Sequence, residues 1–175
     1  MKHLGGNHYY SESSLKQHFV NFSAHSEEVA KSLIYESTQI KSHYDFFLSH
    51  SSADMNVING LYRELVGQGF SVFVDRIDAK GTAIEAMADK LKSAMNKSKY
   101  ILYVHTHNSK NSKWTPWEIG YFDSKKGKDN IFVMPLLNDT KEIAPYIGQE
   151  YLQAYTEISA DYLDSLKNSM SYFGY

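Results

Sequence analysis

Tyr44-Asp45-Phe46-Phe47-Leu48-Ser49-His50 is the stretch on which the fold turns. Its apolar run ends in small polar residues, as expected of a strand covered on both faces and opening into a loop. A helical pattern follows, with Val57, Ile58, Leu61 and Leu65 on one side and Gly67 and Gly69 as its stop. Phe70–Val74 then reads as a second strand, Tyr100–Val104 as a third and Ile131–Met134 as a fourth. A weaker fifth strand is expected near Tyr151–Tyr155. Helices fill the intervals. One carries Ile84, Met87, Ala88, Leu91, Ala94 and Met95 at 3.6-residue spacing and is opened by a Thr82/Glu85 capping box. Another begins at Thr115-Pro116-Trp117-Glu118, and a last one, capped by Ser159, carries Leu163, Leu166, Met170 and Phe173.

Strands alternating with helices pair in parallel, with right-handed crossovers covering both sheet faces. The expected fold is therefore α/β, a flavodoxin-like, doubly wound, parallel five-stranded sheet over residues 41–175. Residues 1–40 form a separate helical extension. Leu15, Phe19 and Phe22, then Val29, Leu33 and Ile40, trace an apolar stripe broken near Ser23–Ser26. This predicts one or two helices packed on the domain or on another subunit.

The chain has 175 residues, 42% of them hydrophobic and 22% charged, which is the composition of a globular domain. With a net charge of −2 and no basic run denser than Lys125-Lys126-Gly127-Lys128, a nucleic-acid partner is not expected. There are no cysteines, so disulfides, thiolate metal sites and cysteine nucleophiles are excluded. No segment reads as a signal peptide or as a membrane span of about 18 apolar residues. A cytoplasmic location is the expectation.

In an open α/β sheet, ligands bind beyond the carboxyl ends of the strands, where strand order reverses. With the first strand between the second and third, the crevice lies between the Ser49-His50-Ser51 loop and the long polar loop from Thr106 to Lys113. The loop Asp75–Gly81 lies along the same edge. Two readings of Glu118 stay open at this point. Thr115 and Glu118 have capping-box spacing, with Pro116 at the first helical position, and on spacing alone the cap is the commoner reading. Glu118 would also face the crevice. His105 and His107 form a His-x-His pair, but no carboxylate-rich partner set accompanies them, and no metal site is expected.

At these residues the chain resembles the Toll/interleukin-1 receptor (TIR) domain family. Tyr44–His50 is similar to that family's first strand and Gly69–Asp75 to its second. Asp75–Gly81 matches its BB loop, and Ser112-Lys-Trp-Thr-Pro-Trp-Glu118 its Ser-x-Trp-x-x-x-Glu signature. The likeness extends over residues 44 to 155. The stretch Pro116–Asp123 also looks like the TIR proteins of Thoeris anti-phage defence.

The resemblance implies an enzyme that cleaves the nicotinamide–ribose bond of NAD. Glu118 would be its catalytic carboxylate and Trp114 the aromatic wall beside the nicotinamide. Ser49, His50, Ser51, Asp75, Arg76, Gly81 and Trp117 would contact substrate. NAD would be substrate rather than cofactor, no metal would be needed, and TIR–TIR contacts would build a homo-oligomer. A nucleotide product would reach a separate effector. The chemistry suits a single carboxylate. Most glycoside hydrolases need a second, acidic group to protonate the leaving oxygen. Nicotinamide instead departs as a neutral base from a pyridinium, leaving only the positive charge on ribose to be stabilised. A non-catalytic TIR scaffold is the alternative, and a deoxyribosyltransferase-like enzyme shares the one-carboxylate logic.

Overall fold

The computed structural model describes residues 1–25, 27–76 and 84–172. In chain order the elements are β1 (Lys2–Leu4), α1 (Glu12–His25), α2 (Glu27–Glu36), β2 (Tyr44–Ser49) and α3 (Met55–Gly67). β3 (Val72–Val74), α4 (Ile84–Lys97), β4 (Ser98–His105) and α5 (Thr115–Lys126) follow, then β5 (Ile131–Pro135), β6 (Thr156–Ile158) and α6 (Ala160–Tyr172).

The strands form one sheet in the order β1-β6-β5-β4-β2-β3, and every pairing is parallel. The doubly wound α/β architecture, and the place of the Tyr44–Ser49 strand between Val72–Val74 and Ser98–His105, are as the sequence implies. The sheet has six strands rather than five. Lys2–Leu4 adds an edge strand beside β6, too short and polar to announce itself by periodicity. The fifth strand of the sequence reading also moves. Glu150–Ala154 is a turn of 3-10 helix, and the strand is Thr156–Ile158.

Side chains alternate across a strand, so Phe46 and Leu48 serve one core and Phe47 the other. The first core is closed by Leu15 of α1, Val57, Ile58, Leu61 and Leu65 of α3, and Leu163 of α6. The second is closed by Leu91, Ala94 and Met95 of α4 and by Ile119 and Phe122 of α5. Ser49 has the parity of Phe47, which aims its hydroxyl towards α5.

Residues 2–12 are laced to the sheet by backbone bonds. Ser159 N donates to Leu4 O, Ala160 N to His8 O, and Leu137 N to Tyr10 O, while Glu12 N donates to Leu137 O. α1 then packs on α3, and Gly60 makes that approach possible. A Cβ there would stand 2.1 Å from the Leu15 carbonyl oxygen.

Several local expectations need correction. Val29, Ile40 and Ile84, expected on apolar stripes, are exposed, Ile84 by 70%. Ser159 precedes α6, but its Oγ is buried without a partner and makes no cap bond. Trp114 is the cap residue of α5, with no side-chain cap bond, and the Thr115 hydroxyl has no partner. The Thr115/Glu118 capping box therefore does not form. The Thr82 cap, Gly81, Phe173 and the Met170 side chain lie outside the described residues.

Candidate active site

Glu118 opens the first turn of α5, where Pro116 pre-sets the helical backbone. Its amide donates to the Trp114 carbonyl at 2.9 Å. Its side chain points to the carboxyl edge of the sheet and is 1% exposed. There Ser49 Oγ, at the end of β2, donates to Glu118 Oε2 at 2.6 Å. The charge of Asp75, just past β3, also acts on Glu118. Burial holds the Glu118 carboxyl well above its ordinary range and the charge of Asp75 adds to this, while the Ser49 bond pulls the other way. Ser49 and Glu118 are thus a buried polar pair at the end of β2, with half-buried Asp75 just past the end of β3 acting on Glu118.

This lies one strand away from the crevice expected between the first and third strands. Those two loops are instead tied together by Asp54. Thr106 Oγ1 donates to Asp54 Oδ2 at 2.6 Å and Asn108 Nδ2 to Asp54 Oδ1 at 2.6 Å. Thr106 N donates in turn to Ser109 Oγ at 2.8 Å, and Ser109 Oγ to the Val104 carbonyl at 3.1 Å. Asp54, Thr106 and Asn108 escaped the sequence reading as a unit, because no local spacing pairs residues more than 50 positions apart.

The other sequence-derived site residues flank the cluster. His50 is buried, with Nδ1 3.3 Å from the Leu48 carbonyl and Nε2 3.2 Å from Met55 Sδ. Burial pushes its imidazole down to about 4, so it is neutral near pH 7. Ser51 Oγ accepts from Ala53 N at 3.4 Å and caps the 3-10 turn Ser52–Asp54. Arg76 donates from Nε to Ser37 Oγ at 2.8 Å, and its Nη2 is buried without a partner. Trp114 and Trp117 meet edge to face at 5.5 Å, and Trp117 stacks on Tyr121 at 5.8 Å. Both indoles are half-buried against the α4–α5 core.

His105 and His107 do not converge. His105 is buried, with Nε2 2.9 Å from the Ala144 carbonyl and its ring stacked on Tyr146 at 4.2 Å, whereas His107 is exposed. Among the described residues, no group of three or more His, Asp or Glu side chains gathers to hold a metal ion. A surface cavity of about 410 Å³, lined by His18, Leu33, Arg63 and Glu64, lies at the α1–α3 seam, across the sheet from Glu118. No helix among the described residues is long and apolar enough to cross a membrane.

Comparison with known proteins bears on this arrangement. The chain is 38% identical over 120 residues to the protein named "Probable 3' cyclic ADP-D-ribose synthase ThsB'" of Bacillus cereus (strain MSX-D12), covering 66% of this chain and 61% of that relative. It is 25% identical over 109 residues to the NAD(+) hydrolase TcpC of Escherichia coli O6:H1, covering 60% of this chain and 35% of TcpC. It is 26% identical over 131 residues to TIR2 of Cytobacillus dafuensis, covering 65% of this chain and 35% of that protein. The chain thus spans less than two thirds of each of these relatives. Residues 46–167 match the family model described as TIR domain, and the chain belongs to the TIR domain family.

Proposed function

We propose that this TIR domain cleaves the nicotinamide–ribose bond of NAD, with Glu118 as the carboxylate on which the reaction depends. The observation that carries this is a single glutamate at the carboxyl edge of the parallel sheet, fixed by Ser49 in a site shielded from water. In such surroundings a carboxylate acts on developing positive charge far more strongly than it would in water. Ionised Glu118 stabilises the cationic ribose as neutral nicotinamide leaves, and a hydrogen bond to a ribose hydroxyl would orient the sugar. Trp114, one helical turn away, is the aromatic group placed to stack on the nicotinamide ring.

The names of the relatives, a cyclic ADP-ribose synthase and an NAD(+) hydrolase, support this reading. On it, NAD is substrate, no resident cofactor or metal takes part, and His50, Ser51, Arg76, Gly81 and Trp117 are placed near substrate. The product is an ADP-ribose-derived signal, made in bacterial anti-phage defence and acting on a separate effector. The protein works in the cytoplasm as a homo-oligomer held by TIR–TIR contacts, with residues 41–175 as the TIR domain and 1–40 as its helical extension.

Because Glu118 is 1% exposed, the site described is closed, and catalysis requires an opening that admits the dinucleotide. The test is to incubate the full chain with NAD at high protein concentration and resolve the products by mass spectrometry. Nicotinamide release by wild type and its loss in Glu118→Gln is the expected result. No turnover by concentrated, oligomeric wild type would favour the scaffold reading instead.

A further inference from the structure

We infer that the cavity at the α1–α3 seam is a binding site for a small zwitterion with an apolar body, the chemistry of a free apolar α-amino acid. The site lies across the sheet from Glu118 and does not rest on the NAD reading.

The two helices create the space themselves. α1 meets α3 closely at Gly60, where an added Cβ would stand 2.1 Å from the Leu15 carbonyl oxygen. Two turns further along α3, Gly67 contributes no side chain, and a Cβ there would meet nothing within 4 Å. The resulting cavity of about 410 Å³ is lined by His18 of α1, Leu33 of α2 and, towards the end of α3, Arg63, Glu64, Val66 and Gln68. Small-molecule sites span roughly 300–1,000 Å³ and combine apolar walls with a few polar groups.

Opposite charges border the space from adjacent positions of α3. The Arg63 guanidinium sits 4.4 Å from the centroid of the Phe22 ring. That ring occupies one face of the planar group and leaves its N–H edge, which fits a carboxylate. Among the described residues, Arg63 forms no ion pair or hydrogen bond. Glu64 is steadied by its neighbours: Gln68 Nε2 donates to Oε1 at 3.2 Å, and His18 Nδ1 lies 3.9 Å from Oε2. Its remaining lone pairs can accept from an ammonium group. The last carbonyls of α3 do not compete for that ammonium. Gln68 N donates to Glu64 O, Phe70 N to Leu65 O and Gly69 N to Val66 O.

Leu33 and Val66, both packed against the core, supply the apolar wall. A simple anion would be repelled by Glu64 and a simple cation by Arg63. An uncharged apolar body would cover both charges without pairing either, which is costly. A zwitterion pairs both and adds no net charge.

The test uses the full chain, its amide NMR spectrum and free L-leucine as the probe. Saturable shifts are expected at His18, Leu33 and residues 63–68. Leucinamide lacks the carboxylate, N-acetylleucine lacks the ammonium and glycine lacks the apolar body. Each should bind wild type roughly tenfold or more weakly than leucine. Arg63→Gln should weaken leucine and no longer separate it from leucinamide. Glu64→Gln should likewise no longer separate leucine from N-acetylleucine. The ligand series on wild type decides the matter even where a variant fails to fold. No saturable shift with leucine, or equal binding of leucine and leucinamide by wild type, overturns the proposal. So does leucine binding that is lost in Glu118→Gln, since the probe would then occupy the candidate active site.

Discussion

Ser49 Oγ donates to Glu118 Oε2 at 2.6 Å, joining the end of β2 to the first turn of α5 across 69 positions of the chain. This bond is what separates Glu118 from an ordinary helix-capping glutamate. A capping carboxylate folds back on its own first turn, whereas this one reaches across to the sheet edge.

Glu118→Gln should reduce nicotinamide release by at least 10²–10³-fold, roughly the loss seen when one electrostatic stabiliser is removed from a buried site. The amide is nearly isosteric and can still accept from Ser49. Thermal unfolding followed by circular dichroism should therefore show a melting temperature at or above that of wild type.

Ser49→Ala removes a neutral donor to Glu118. A hydrogen bond to a charged group contributes about 1.5–3 kcal/mol, so the ionised carboxylate loses on the order of 10- to 100-fold in population. Since the Ser49 bond opposes the upward shift of Glu118, its loss should move the acidic limb of the kcat/KM profile to higher pH. Asp75→Asn should move the limb the other way, because the charge of Asp75 raises Glu118, and the two profiles together provide an internal check.

Stability against pH carries two signatures of opposite sign. Glu118 is raised in the folded chain, so the fold binds its proton more tightly than the unfolded chain does. That contribution is full below the ordinary value of 4.5 and is lost as pH rises through the folded value. Denaturant titrations of Glu118→Gln should show a flatter decline on the alkaline side than wild type. His50 is lowered from 6.5 to about 4 by burial, so its contribution is full above 6.5 and is lost as pH falls towards 4. The shift corresponds to about 3 kcal/mol. His50→Gln should lose that acid-side slope, measured as midpoint against pH.

Gly60→Ala should destabilise the fold through the α1–α3 contact. The added Cβ would meet the Leu15 carbonyl at 2.1 Å, and backbone cannot swing aside as a flexible side chain does. A cost of about 1–3 kcal/mol is expected from forcing the helices apart. At this chain length that corresponds to a fall of roughly 2–4 °C per kcal/mol in melting temperature. An unchanged Tm would show that the two helices are not held at this distance in solution.

Much of the architecture was legible in one dimension. Apolar runs at Tyr44–Ser49, Tyr100–Val104 and Ile131–Met134 are buried on both faces, so each residue's hydrophobicity reports its environment directly. The 3.6-residue stripes of α3 and α4 are legible for the same reason, apart from the exposed Ile84 at the start of α4. β1 was not legible. Lys2-His3-Leu4 owes its conformation to the free edge of β6 and to bonds with Ser159 and Ala160, partners more than 150 residues away.

The site divides along the same line. By itself the sequence determined that a Trp-x-x-x-Glu segment opens a helix beside a parallel sheet, because helix starts and strand runs are encoded by neighbouring residues. Only the tertiary structure decided what the Glu118 carboxyl group meets. Its partners Ser49 and Asp75 lie 69 and 43 positions away, brought together by the strand order β4-β2-β3 and by the side-chain alternation along β2. Burial, and with it the protonation of that carboxyl group, is a property of the assembled layers, because the cost of a charge depends on how much protein stands between it and water.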